Sequence, residues 1–149
     1  MATERPLRIL SETDASPESF HDCHVHGLRW RRDRFVFSMG LQYILSLIHP
    51  GDGDSGYRFS IAEAELVFEN VDELRISMDW SVAALDAQIA AMRVLQTRNT
   101  PNGRLQRYFE IEFADPDALI CLWSTGYEVR ILREPVSSAV TGIPLDEEM

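Results

Sequence analysis

Apolar residues recur at every second position from Phe35 to Leu47: Phe35, Phe37, Met39, Leu41, Tyr43, Leu45 and Leu47 share one side. Ser38, Gly40, Gln42 and Ser46 stand on the other. A period of two is the mark of a half-buried strand, whereas a helix would repeat at three and four. Ile44 and Ile48 interrupt the polar side, so this end of the strand is expected to be covered on both faces. Tyr57, Phe59 and Ile61 alternate in the same way, and then Ala64, Leu66 and Phe68. The phase slips by one residue near Ala62-Glu63, which predicts a bulge or a break. Leu74, Ile76, Met78 and Trp80 alternate with Arg75, Ser77 and Asp79. Leu105, Phe109, Ile111 and Phe113 oppose Gln106, Glu110 and Glu112. Leu119–Trp123 is apolar on both sides, as in a central strand, and Gly126 separates it from Tyr127, Val129 and Ile131.

Turn residues punctuate these runs. Pro50-Gly-Asp-Gly-Asp-Ser-Gly56 predicts a loop, and Glu69-Asn-Val-Asp-Glu73 and Asp115-Pro-Asp117 predict turns. Thr100-Pro-Asn-Gly103 carries Asn-Gly, the strongest short hairpin signal. Ser81 is placed to cap a short helix from Val82 to about Ala90, with Val82, Leu85 and Ile89 on its apolar side. Residues 91–98 could extend this helix, but a strand leading into the Asn-Gly hairpin is the preferred reading. The expectation is a mainly β protein of seven or eight strands with one short helix. Connections this short favour an antiparallel meander, forming a strongly curved or barrel-like sheet. Residues 1–19 read as a loose polar lead-in with a short edge strand at Leu7–Leu10. Residues 20–133 read as a single β domain, and 134–149 as a flexible tail.

Composition narrows the function classes. The chain has 149 residues and is 45% hydrophobic, enough for one domain with its own core. Its apolar runs fall short of the roughly 18 residues that span a bilayer. The N-terminal residues lack the pattern of a signal peptide, so a cytoplasmic protein is expected. Two cysteines, Cys23 and Cys121, are too few for a disulfide framework and read as reduced, buried thiols. The net charge of −10 argues against nucleic-acid phosphate binding and suits a basic protein partner. All 14 cationic side chains are arginine. Schiff-base chemistry and a P-loop lysine are thereby excluded.

The densest chemistry lies in His21-Asp22-Cys23-His24-Val25-His26-Gly27, which holds three of the four histidines. On a strand, Asp22, His24 and His26 face one way, and Cys23 and Val25 the other. The structural reading buries Cys23 and Val25, and lets Gly27 form a bulge that turns Leu28 and Trp30 inward. The alternative is a divalent metal held by His24, His26 and Asp22, although a catalytic site generally needs three protein ligands and an open position. Arg29, Arg31, Arg32 and Arg34 cluster around a turn and could bind an anion. Glu63, Glu65, Glu69, Glu110 and Glu112 lie on the wet sides of strands and could dock a basic partner. Asp52-Gly53-Asp54 lacks the twelve-residue loop and terminal glutamate of a calcium site. The sequence names no catalytic residue and implies no cofactor.

Phe20-His21-Asp22, then Val25-x-Gly-Leu28, Leu41-x-Tyr-Ile-Leu45 and Glu65-Leu-Val-Phe-Glu-Asn-Val-x-Glu-Leu-Arg-Ile76, follow in an order that resembles a group of small bacterial all-β domains of unknown function. The Phe-His-Asp opening is also similar to immunity-protein-like domains of bacterial toxin systems, which are acidic, non-catalytic binders. The resemblance implies a binding function and carries over no catalytic residue. The leading expectation is therefore a non-enzymatic domain that presents an acidic surface to a protein partner, of toxin-immunity type. The alternatives are a metal-dependent enzyme using His24 and His26, and a small-ligand carrier with a cavity lined by Phe37, Tyr43, Phe109 and Trp123. A homodimer through a strand edge is compatible with all three.

Overall fold

A strand with one apolar side must bury it against another apolar surface. Here one antiparallel sheet does so by doubling back on itself. The computed structural model describes residues 5–48, 58–78, 87–115 and 118–138. Its strands are β1 (Arg8–Leu10), β2 (His24–Arg31), β3 (Val36–Ile48), β4 (Arg58–Glu69), β5 (Asp72–Met78), β6 (Ala87–Asn99), β7 (Leu105–Asp115), β8 (Ala118–Ser124), β9 (Gly126–Ile131) and β10 (Val136–Ser138). They form one ten-stranded sheet in the order β1-β9-β4-β3-β2-β6-β7-β8-β5, with β10 beside β4. All pairings are antiparallel. The antiparallel β architecture is as the alternation predicts, but the sheet does not close into a barrel.

Two joints fold this sheet into two layers. At one joint, among the described residues, β2 pairs with β6 through His24↔Gln88 and Val25↔Ala87, and the Ile89 backbone bonds to Asp22 and Cys23 beside them. At the other, β4 runs into β5 and β8 into β9 almost without interruption. The pairs Glu69↔Gly126 and Asp72↔Trp123 lie on either side of this corner. The Ser124 hydroxyl donates to the Glu69 carbonyl at 2.6 Å and accepts the Gly126 N–H at 3.1 Å. Thr125 N–H donates to the same Glu69 carbonyl at 3.2 Å. Asn70 takes a left-handed φ of 50°, which an asparagine tolerates. The residues read as a turn, Glu69–Glu73, are therefore the bend of a two-stranded ribbon that crosses from one layer to the other.

The core fills the space between the layers. Phe68 of β4 meets Phe109 of β7 at 5.2 Å between ring centroids, although three strands separate them in the sheet order. Tyr127 touches Phe20, Phe68 and Phe109 at 5.6–5.7 Å. Its hydroxyl donates to the Ala15 carbonyl at 2.7 Å.

Residues 7–20 are part of this core and correct the expectation of a loose lead-in. β1 pairs with β9, Ala15 and Phe20 are fully buried, and Pro17–Phe20 forms a 3-10 turn. Glu12 pairs with Arg107 at 2.6 Å. A Cβ on Gly126 would lie 2.6 Å from Oε2 of Glu12, so a side chain there would displace this carboxylate. The polar run misleads because its few buried groups are satisfied by distant partners.

Other expectations meet mixed outcomes. Residues 87–90, expected to end a helix, begin β6; its strand extends through the 91–98 segment as expected. The rest of that helix, 82–86, lies outside the described residues, as do the Pro50–Gly56 loop, Pro116-Asp117 and residues 139–149. Among the described residues the 3-10 turn is the only helical element. The Asn-Gly hairpin is present, with Gly103 at φ +83°. β4 runs through Ala62-Glu63 without the expected bulge or break: Ile61 and Ala62 are both buried, and the β3–β4 register shift falls on β3, between Ile44 and Ser46. Part of the expected tail pairs with β4 as β10.

Cys23, Tyr43 and Tyr127 are buried protonated in this core. Burial pushes the Cys23 thiol up from 9.0 to about 12, and it raises both tyrosines as well. The unfolded chain releases these protons at lower pH than the folded one, so alkali favours unfolding. The Cys23 contribution should be flat below about pH 8, where the thiol is protonated in both states, and stability should fall as pH rises through 9 toward 12. Urea titrations at stepped pH measure this decline, and Cys23→Ala should make it shallower. A decline equally steep in that variant would contradict the assignment to Cys23.

Candidate functional site

The histidine segment is built by the β2 bulge. Cys23 and Val25 point into the core and are fully buried. The β2–β3 register shifts between Val25 and Gly27, so His26 is the extra residue. Its imidazole lies over Gly40, where an added Cβ would sit 3.0 Å from Cε1. There His26 Nε2 meets Glu63 Oε2 at 2.9 Å, and Gln42 Nε2 donates to Glu63 Oε1 at 3.2 Å. Beyond the bulge, Leu28 packs against the core as expected. Trp30 does not: at the strand end, opposite Phe37, it is 42% exposed.

Asp22 serves a different place. At φ 71° it donates its N–H to Ile89 O at 2.9 Å and accepts from Gln88 Nε2 at 3.0 Å. Its other oxygen meets His21 Nδ1 at 3.2 Å. Asp22 therefore clamps the β2–β6 joint, while His26 is turned to Glu63 on β4. The proposed ligand set of His24, His26 and Asp22 is divided in this way. Among the described residues, no three His, Cys, Asp or Glu side chains converge as metal ligands would.

The acidic candidates do not form one surface. Glu63, Glu65 and Glu69 share the outer side of β4, whereas Glu110 and Glu112 lie on β7 in the other layer. Arg93 reaches Glu110 at 3.0 Å and Glu112 at 2.9 Å, which offsets part of their charge locally. The arginine candidates come closer to expectation. Arg29, Arg31 and Arg34 line a cleft of about 220 Å³ with Arg130, and Arg32 does not line it. Glu65, Glu69 and Glu128 line the same cleft. The small-ligand cavity is not built: Phe37, Tyr43 and Phe109 fill the core. Trp123 faces the other side of β8, against Tyr108 at 5.1 Å and under Arg98 at 4.1 Å.

A larger concavity, not anticipated from sequence, lies at the corner end of the molecule. It is a groove of about 580 Å³ between the β2–β3 turn, the Asn70–Asp72 corner and the β6–β7 hairpin. Phe35, Arg104 and Pro101 are among its lining residues. Its floor is a closed polar network. Buried Gln106 donates to the Asn70 carbonyl at 3.0 Å and to Asp72 at 2.9 Å, and accepts from Arg98 Nε at 3.0 Å. Phe35 stands on the rim, 55% exposed, with φ at 53°. Its carbonyl accepts the Val71 N–H at 2.8 Å, which ties this unusual backbone to the corner. The alternation that placed Phe35 with the core residues gave no sign of this, because its left-handed φ breaks the phase just before β3. No protein-family model, curated protein or solved structure matches this chain.

The packing of His26 over Gly40 can be tested directly. Gly40→Ala should destabilise the protein by about 1–3 kcal/mol, the range for overpacking. In a His26→Ala background the same change should cost much less, because the crowded ring is gone. Equal costs in both backgrounds, read by urea denaturation, would show that the imidazole does not lie there.

Proposed function

We propose that the protein is a non-enzymatic binding domain that receives a protein partner in the corner groove. Phe35 carries this reading. A large aromatic left mostly exposed, on a backbone that costs a non-glycine residue about 1–2 kcal/mol, gains nothing for the folded chain alone. Such strain persists where an exposed side chain has a use. Leu105, also 55% exposed, lies at the start of β7 beside the groove-lining Arg104. Exposed apolar anchors above a satisfied polar floor are the anatomy of an interface centre. Gln106, Asp72 and Arg98 are occupied with one another, so this floor supports binding more readily than acid–base chemistry. The net charge of −10 favours approach by a basic partner. The similarity to immunity-type domains supports a toxin as that partner.

Phe35→Gly separates a functional role from a structural one. Glycine accepts a positive φ, so the substitution should leave stability unchanged or raise it by up to about 1 kcal/mol. The same variant should lose the partner that the wild type retains from a host lysate after cross-linking. A loss of more than about 1 kcal/mol would make Phe35 a packing residue. Undiminished capture would remove the groove from the interface.

A further inference from the structure

The outer side of β2, β3, β4 and β9 carries two rows of opposite charge across a shallow trough. Arg29 and Arg31 stand on β2, with Arg34 just beyond it. The register aligns Arg29, Ser38, Val67 and Glu128 across the four strands, and Arg31 with Val36. Glu65 and Glu69 lie on β4, two strands from the arginines, or about 10 Å at normal strand spacing. Between the rows β3 offers only Val36, Ser38 and Gly40, which are too short to bridge them. On the acidic side Arg130 pairs with Glu128 at 3.3 Å and stands opposite Glu65 in the register, so Glu65, Glu69 and Glu128 share one guanidinium and that side keeps an excess of negative charge. Among the described residues, Arg29, Arg31 and Arg34 make no ion pair, although Glu65 and Glu69 line the same cleft.

We infer that this face binds a second copy of the chain, with the arginine row of each copy on the glutamate row of the other. The pattern is self-complementary under one operation. A half-turn about an axis lying in the contact plane and parallel to the strands places each row over its opposite. A half-turn about an axis across the strands places like over like and is excluded by repulsion. The result is an isologous dimer, in which the same patch serves both copies. A free anion is a poorer occupant, since the glutamates on the same cleft repel it. A generic basic partner is also poorer, since it meets the arginine row. Contacts between rows of charge are weakened by screening, so the dimer is salt-sensitive.

Sedimentation equilibrium on the full chain tests this with three proteins. The wild type should dimerise at low ionic strength, and its dissociation constant should rise at least about tenfold between roughly 50 and 500 mM salt. Arg29→Glu/Arg31→Glu makes both rows acidic, and Glu65→Arg/Glu69→Arg makes both basic. Each variant alone should be monomeric. Mixed in equal amounts they should form a heterodimer, because every row then meets its opposite. That rescue also shows that both variants are folded. A wild type that stays monomeric up to about 1 mM, the range of the weakest specific contacts, would overturn the inference. So would a mixture that stays monomeric, or either variant dimerising alone as well as the wild type.

Discussion

The contact of Phe68, Phe109 and Tyr127 between the two layers is the interaction on which the rest of this structure depends. Each layer is a few strands wide and has one apolar side, and neither can bury that side alone. The aromatic contact supplies the facing surface, and the two joints follow from it. The β2–β6 joint carries the sheet from one layer to the other, with the Ile89 backbone bonded to Asp22 and Cys23 beside it. The β4–β5 and β8–β9 corner bends on Asn70 and is held by the Ser124 hydroxyl. The corner in turn fixes Val71, Val71 fixes the carbonyl of Phe35, and Phe35 is held out on the groove rim. The binding groove is thus a consequence of how the layers meet.

The interior also explains the N-terminal residues. Glu12, Ala15 and Phe20 look unremarkable in a polar run, yet each completes something the strands leave open. Glu12 compensates Arg107, which points inward from β7 over the Phe109 ring. The Ala15 carbonyl accepts the otherwise buried Tyr127 hydroxyl. Phe20 closes the aromatic cluster between Tyr43 and Tyr127. Without these residues the Arg107 guanidinium would lose its carboxylate and the buried Tyr127 hydroxyl its acceptor, which is costly at the core edge.

Strand alternation was readable wherever one side of a strand is buried and the other wet, as in β3, β7 and β9. The Asn-Gly hairpin was readable because Gly103 takes a positive φ, whereas the β2 bulge falls beside Gly27 without needing it, its extra residue being His26. Strand pairing beyond neighbours was not, because Glu69–Glu73 has the composition of a hairpin turn whether or not the strands on either side pair. The His26–Glu63 contact was half visible: both residues were candidates, but for separate roles. Their meeting depends on Gly40 leaving room for the imidazole. The two charged rows were visible as residues and invisible as one trough, since only the β2-β3-β4-β9 order places them on opposite sides of it.

The claim that two layers of one sheet meet through their aromatic residues is tested most directly by a double-mutant cycle on Phe68 and Phe109. These residues are 41 positions apart in sequence and have three strands between them in the sheet, so coupling between them requires the layers to be stacked. Urea denaturation of the wild type, Phe68→Ala, Phe109→Ala and the double variant should give an interaction energy of about 0.5–1.5 kcal/mol, the range for paired aromatic rings. Strictly additive losses would contradict the account.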